Sequence, residues 1–168
     1  DPTKVATNFR RGFLVDYQPI TATLTKAQVA SLGRINPLDS DLALRQPAFA
    51  STSCCGGTPG AATDGDPNTS WQSNWSSSTE WLGVDLGSAR TVDWLRLTWY
   101  GGAYGKAYKV QVSNDKAAWT TVLSRTGGTG GTEVLPLPTP ASGRYVRVLV
   151  SQPAGAASML TNVEVWGR

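Results

Sequence analysis

The sequence Trp81-Leu82-Gly83-Val84-Asp85-Leu86-Gly87 decides the fold class, because large apolar residues stand at every second position. In a β-strand, Leu82, Val84 and Leu86 would lie on one face and Gly83 and Asp85 on the other. The same period of two recurs further along the chain, at Leu95, Leu97 and Trp99, at Tyr108, Val110 and Val112, at Val146, Val148 and Val150, and at Val163 and Val165. Stretches rich in Ser and Gly separate these segments. The pattern predicts an all-β sandwich or jelly roll.

The first part of the chain differs from the rest, and we divide the sequence near residue 40. Residues 1–40 are predicted to be an N-terminal extension, or the tail of a preceding domain with a linker. They contain one possible short helix, because Thr25 and Gln28 have the spacing of a capping box and Gly33 is a plausible stop. Residues 41–168 are predicted to form the β domain.

Composition excludes several functional classes. The 168 residues contain no His, which removes the usual general base, the partner of a nucleophilic Ser or Cys, and the commonest zinc ligand. The net charge is only +3, and the basic residues are scattered, so a nucleic-acid surface is not expected. No apolar run approaches the length of a membrane span, and the first residues lack the apolar core of a signal peptide.

The densest polar cluster is Ala61-Ala62-Thr63-Asp64-Gly65-Asp66-Pro67-Asn68-Thr69-Ser70-Trp71. Asp64, Asp66 and Asn68 have the spacing of the first three ligands of an EF-hand loop, at positions 1, 3 and 5. However, Thr69 stands at position 6, where that loop needs Gly, and Trp75 stands at position 12, where it needs Glu. Three interpretations remain open. The carboxylates could help to bind a hard cation, they could act as the acid and base of a glycosidase, or they could simply form a turn.

Five segments together resemble the discoidin (coagulation factor type C) superfamily, and the similarity is closest to family 32 carbohydrate-binding modules of bacterial secreted enzymes. These segments are residues 41–44, 61–71, 81–87, 104–113 and 162–167. The combination is specific, although each motif alone is weak, and it covers about three quarters of the chain.

The resemblance implies a discoidin-like jelly-roll β-sandwich with one structural calcium ion. The implied calcium ligands are the carbonyls of Ala61 and Val163 and the side chains of Asp64, Asp66, Thr69 and Glu164. The implied function is a non-catalytic module, secreted, that binds a polysaccharide or oligosaccharide and targets the catalytic domain of a parent enzyme to it. The alternative within the superfamily is an adhesion or lipid-binding domain, which the weak charge makes less attractive.

Sugar binding needs an exposed aromatic ring and a few polar groups. Trp75 lies in a Ser-rich segment with no strand pattern to bury it, so it is predicted to be a ligand platform, with packing over the end of the sandwich as the alternative. Tyr100, Tyr104 and Lys106 form a second candidate loop. Among the other tryptophans, Trp71, Trp81, Trp99 and Trp166 are predicted to be core, while Trp94 and Trp119 are left undecided.

Cys54 and Cys55 are the only cysteines, and they are adjacent. Neighbouring Cα atoms lie about 3.8 Å apart, whereas ordinary disulfides span about 4.4–6.8 Å. A vicinal disulfide would be a rigid apolar knob beside the binding loops, and both residues are therefore included in the predicted ligand site. Free thiols and an intermolecular bridge are the alternatives.

Overall fold

The computed structural model describes residues 39–75 and 79–168. Across these residues the chain forms eight β-strands and one 3-10 helix, Pro59–Ala62. The strands are β1 (Ser40–Asp41), β2 (Ala48–Ala50), β3 (Trp71–Gln72), β4 (Glu80–Trp99), β5 (Gly105–Ser113), β6 (Thr120–Thr126), β7 (Thr132–Pro153) and β8 (Met159–Gly167). The all-β prediction is confirmed. The possible helix of the N-terminal extension lies outside the described residues.

Strands β4 and β7 connect two layers of the sandwich. Residues 80–85 of β4 pair with 145–150 of β7, and after a register shift residues 90–98 pair with 132–143, with a second shift between Val92 and Trp94. The first half of β4 also pairs with β2, and the second half of β7 pairs with β5, which carries β6 at its edge. The second half of β4 pairs with β8, which pairs with β1 and β3. One continuous sheet therefore bends over on itself.

The core lies between these layers, and it consists of the residues that the period of two selected. From one layer come Leu82, Val84, Leu86, Tyr108, Val110, Val112, Val146, Val148 and Val150, and from the other Leu95, Leu97, Trp99, Val163 and Val165, all buried. Gly83 faces outward, and a Cβ there would lie 2.6 Å from the ring of Phe49, so the glycine lets the β2 phenylalanine pack directly on β4. Burial of this many apolar side chains is the dominant stabilising contribution.

Two of the four tryptophans predicted to be core are not. Trp71 and Trp99 are buried, but Trp81 and Trp166 are only half-buried. Each immediately follows or precedes a residue that points inward, so strand alternation puts its ring on the outer face. Trp166 stacks there on Trp94 of β4, with ring centroids 4.8 Å apart and planes within 4°.

The other outer tryptophans pack against Arg147 of β7. Its guanidinium lies 4.1 Å from the ring centroid of Trp119 and 5.7 Å from that of Trp81. Phe49 completes the cluster with an edge contact to Trp81 at 5.6 Å. This face is thus covered by rings and cations that already contact one another.

Residues at the two ends of the described fold lie side by side. Ser40 of β1 pairs with Gly167 of β8, and Thr91 exchanges backbone hydrogen bonds with Arg168. The domain boundary proposed near residue 40 thus falls within β1. No helix among the described residues is long and apolar enough to cross a membrane.

Candidate functional site

Loops at one end of the sandwich surround an open cleft of about 680 Å³. The end is defined by β3 and the start of β8, which pair as Trp71 with Leu160 and Gln72 with Met159. Glycine backbone, small polar groups and one aromatic ring form its walls. The lining residues are Cys55, Gly56, Gly57, Thr58, Gly60, Ala61, Asp64, Asn68, Thr69, Ser70, Gln72, Tyr100 and Met159.

The first wall is a tight turn closed by a disulfide between Cys54 and Cys55. The Gly57 N–H donates to the Cys54 carbonyl over 2.9 Å, and the two central residues have positive φ, +60° at Cys55 and +87° at Gly56. Positive φ at both central positions is the signature of a type I′ turn. The structure thus pairs the cysteines with each other. In the structure, neither free thiols nor an intermolecular bridge is formed.

This turn, residues 54–57, is docked on β3. The Cys54 N–H donates to the Gln72 carbonyl over 3.1 Å, and a Cβ at Gly57 would lie 2.7 Å from the Gln72 nitrogen. Buried Trp71 adds a further tie, since its Nε1–H donates to the Thr52 carbonyl over 2.9 Å. The base of the turn is therefore fixed, while Cys55 and Gly56 at its tip are exposed.

The second wall is the Tyr100 loop. The Tyr100 N–H donates to the Met159 carbonyl over 3.1 Å, and its carbonyl accepts from the Ala103 N–H over 3.0 Å. The Met159 N–H in turn donates to the Ala103 carbonyl over 2.9 Å. These backbone bonds hold Tyr100 at the edge of the cleft, with 57% of the residue exposed. An exposed phenol ring fixed by its backbone is suited to stacking on a sugar ring.

The floor beside these walls is the loop of residues 61–70, where four oxygens converge. The Thr69 hydroxyl lies 2.8 Å from Asp64 Oδ2, 3.0 Å from the Asp66 carbonyl and 3.1 Å from the Ala61 carbonyl. The hydroxyl carries one proton and the Thr69 N–H donates only to the Asp66 carbonyl, over 3.3 Å, so the three acceptors outnumber the two donors. Such an excess of hard oxygen acceptors is what a calcium ion satisfies.

Asp66 and Asp64 also shape the loop itself. The Asp64 carboxylate accepts from the Asp66 N–H over 2.8 Å, and the Asp66 carboxylate accepts from both the backbone and the side chain of Asn68 over 2.9 Å. These two bonds from Asn68 lower the pKa of Asp66. The carboxylate of Asp66 thus serves the turn, and it is its carbonyl that faces Thr69.

Glu164 does not join this oxygen cluster. Its carboxylate binds the Arg96 guanidinium and accepts from Asn162 Nδ2 and Trp166 Nε1, each over 2.8 Å. Val163 and Glu164 lie within β8, which pairs here with β4. Among the described residues, no three acidic, His or Cys side chains come close enough together to hold a metal. The oxygens of the 61–70 loop are of the kind that calcium takes, whereas the Glu164 carboxylate is bound by Arg96, Asn162 and Trp166.

The remaining predicted ligand residues, Trp75, Tyr104 and Lys106, do not line the cleft. Trp75 is 71% exposed and lies just beyond Asn74, whose N–H donates to the Thr52 hydroxyl over 2.9 Å. It is therefore close in the chain to the cleft, but it does not line it. Tyr104 is half-buried against the core, and Lys106 is an exposed residue of β5. Of the second candidate loop, only Tyr100 reaches the cleft.

Eight of the lining residues were not predicted to belong to the site: Gly56, Gly57, Thr58, Gly60, Asn68, Ser70, Gln72 and Met159. Gln72 and Met159 become neighbours only because β3 pairs with β8 across a long stretch of sequence. No local pattern in the sequence reveals this pairing. The signal that could have found Asn68 is its position in the acidic loop.

A scan against protein families matches residues 48–165 to the F5/8 type C domain. No curated protein matched the chain significantly in a sequence comparison. Among solved structures, chitosan-binding module 1 of the chitosanase/glucanase from Paenibacillus sp. IK-5 is 35% identical. The alignment covers 76% of this chain and 99% of that module, with a TM-score of 0.71.

Two further structures extend the comparison. Chitosan-binding module 2 of the same Paenibacillus enzyme, solved with chitotriose, is 33% identical over 75% of this chain and 99% of that module, with a TM-score of 0.70. The family 32 module of Clostridium perfringens NanJ, solved with galactose, is 20% identical over 77% of this chain and 99% of that one, with a TM-score of 0.69. The last likeness concerns the fold alone.

Proposed function

The chain belongs to the F5/8 type C domain family, and from this premise we propose that it is a non-catalytic carbohydrate-binding module for a glucosamine chain of the chitosan type. The observation that carries the proposal is the cleft, with a fixed and exposed Tyr100 on one side and bare glycine backbone on the other. Glycine walls let a sugar approach the backbone closely, and the ring supplies the stacking surface. The Paenibacillus modules at 33–35% identity support the chitosan class.

The charge of the cleft agrees with this ligand class. Asp64 is the only charged residue among those that line it, and no Lys or Arg side chain does so. A glucosamine chain carries amino groups that bind protons, and no side chain of the lining carries a positive charge that would repel them. A terminal galactose is a weaker candidate, because the likeness to the galactose-bound module rests on the fold alone.

We further propose that the module is secreted and brings a polysaccharide-active catalytic domain to its substrate. Support comes from the Cys54–Cys55 disulfide, since disulfides persist mainly in oxidising compartments. The Paenibacillus modules were derived from a chitosanase/glucanase, which is an enzyme of the class proposed here as the partner.

A structural calcium ion is also part of the proposal. Asp64 and Thr69 would hold it through their side chains, and Ala61 and Asp66 through their carbonyls. This set supplies four of the six to eight oxygens that calcium takes, so waters would complete the shell. The ion would fix the loop that forms the cleft floor.

The decisive experiment compares three hexasaccharides that differ only at carbon 2, namely the β-1,4-linked oligomers of glucosamine, N-acetylglucosamine and glucose. Calorimetric titration should give the tightest binding for the glucosamine oligomer. Added salt should weaken this binding more than that of the glucose oligomer, because mobile ions screen the attraction between charges. Mass spectrometry of the incubated oligomers should show no cleavage.

Equal binding of the three oligomers would contradict the amine preference, and shorter products would contradict a non-catalytic role. The lipid-binding alternative is favoured by one observation, the 71% exposure of Trp75. Sedimentation with anionic phospholipid vesicles tests it directly. Retention on vesicles without binding to any oligomer would replace the present proposal with that alternative.

A further inference from the structure

The turn of residues 54–57 places a residue other than glycine, Cys55, at a positive φ. Cys55 has φ +60°, the left-handed region that residues other than glycine rarely occupy. Asn and Gly are favoured at the central positions of a type I′ turn, and Gly56 satisfies the second of them at +87°. Cys55 is an unfavourable residue at the first position, so something else must hold it there.

Contacts around the turn show where that restraint acts. The base is held by backbone hydrogen bonds, from Cys54 to Gln72 and from Gly57 to Cys54. The tip is exposed, and a Cβ at Gly56 would meet no atom within 4 Å. Cys55 is itself exposed, so little packing is available to hold its backbone. The covalent bond to the neighbouring Cys54 sulfur is the restraint that the structure offers.

We propose that the Cys54–Cys55 disulfide is a positioning element of the glycan site, which holds the turn in the conformation that forms the cleft wall opposite Tyr100. The inference rests on the proposed function for its binding consequence. The two sulfurs act through the backbone of the turn rather than by contacting the sugar. The oxidised form of the protein is accordingly the binding-competent form.

Reduction of the Cys54–Cys55 disulfide removes this restraint on the turn. A dithiol such as dithiothreitol gives two electrons and two protons to the disulfide and becomes a cyclic disulfide itself, leaving Cys54 and Cys55 as thiols. An unrestrained non-glycine residue leaves the left-handed region for most of the time. Binding should therefore weaken about 5- to 30-fold, which corresponds to about 1–2 kcal/mol, because affinity falls with the population of the competent conformer.

The test measures the affinity of the glucosamine hexamer for oxidised and reduced protein, with thiol alkylation and intact mass as the check on redox state. A matched pair of variants separates the turn from the sulfurs. C54A/C55A should bind as weakly as reduced protein, because Ala disfavours positive φ. C54A/C55N should bind nearly as well as oxidised protein and ignore dithiothreitol, because Asn followed by Gly56 favours a type I′ turn. Near-ultraviolet circular dichroism should show that every form stays folded.

A second readout does not depend on any sugar. Hydrogen exchange of the Gly57 amide, which bonds to the Cys54 carbonyl, should accelerate in reduced protein and in C54A/C55A but not in C54A/C55N. Equal protection in oxidised and reduced protein would overturn the proposal, as would C54A/C55N binding no better than C54A/C55A. If oxidised protein binds no oligomer, the proposed function fails, and the exchange result alone decides whether the disulfide holds the turn.

Discussion

Replacement of Tyr100 by Ala provides the sharpest test of where the ligand lies. The residue is 57% exposed at the edge of the cleft, and a Tyr side chain offers about 200 Å² in total, so about 115 Å² faces solvent. A sugar stacked on one face of the ring would cover about half of that. At about 25 cal/mol per Å², the ring contributes about 1.4 kcal/mol, and we expect Tyr100→Ala to weaken glucosamine-hexamer binding about tenfold.

The assay is calorimetric titration well below the melting temperature. The remaining buried part of the ring is about 85 Å², so the variant loses at most about 2 kcal/mol of folding free energy and stays folded. Tyr100→Phe should bind within about twofold of the parent, because it keeps the ring and removes only the hydroxyl. Val134→Ala is a matched control, since Val134 is 60% exposed on β7 and does not line the cleft.

The reasoning is refuted if Tyr100→Ala binds as tightly as the parent protein, since the ring would then not touch the ligand. It is equally refuted if Val134→Ala weakens binding to the same extent. That result would mean that the loss of any exposed apolar side chain weakens binding, so the effect of Tyr100→Ala would not locate the ligand in the cleft.

Three further predictions concern the rest of the site and the fold. Trp75 does not line the cleft, but its ring is 71% exposed and can stack on a polysaccharide that extends past the cleft, so Trp75→Ala should weaken retention in affinity electrophoresis roughly tenfold without unfolding. Trp71 is fully buried, so Trp71→Ala should instead lower the free energy of unfolding by about 3–5 kcal/mol in urea titration. Exhaustive chelation should lower the melting temperature if calcium binds at Asp64, and an unchanged curve in metal-free protein would exclude the ion. The hydrogen bond from Arg144 lowers the pKa of the Asp85 carboxyl from its ordinary value of 3.8. The stability that this ion pair contributes is therefore fully present above pH 3.8, and it is lost as the pH falls through the folded pKa. Asp85→Asn should destabilise the protein at pH 7 by under about 1 kcal/mol, and this difference should shrink as the pH falls through the folded pKa of Asp85, as unfolding curves at a series of pH values will show.

Strand positions could be predicted because alternation is a local property that burial enforces. Leu82, Val84 and Leu86 are each buried as their spacing required. The predictions for Trp81 and Trp166 were wrong because they relied on the place of these residues in motifs that resemble the family framework. Each of them stands next to a residue that faces the core, so strand alternation places its side chain on the outer face.

The site was predictable only where its residues are neighbours in the chain. The acidic loop around Asp64 and the adjacent cysteines were recognisable for that reason. Whether Glu164 reaches that loop depends on its partners across the sheet, and Arg96 of β4 binds its carboxylate instead. The meeting of Gln72 with Met159 depends likewise on a pairing between distant strands.

The pairing of Ser40 with Gly167 has a geometric consequence for how the molecule can be joined to others. Strand β8 starts beside the cleft at Met159 and ends at Gly167, and eight steps of about 3.3 Å separate these positions by about 26 Å. The first and last residues of the described fold therefore lie at one pole of the sandwich, while the cleft opens at the other. A partner protein fused to Arg168 would begin at the pole away from the cleft, so the fusion should leave the cleft open to solvent.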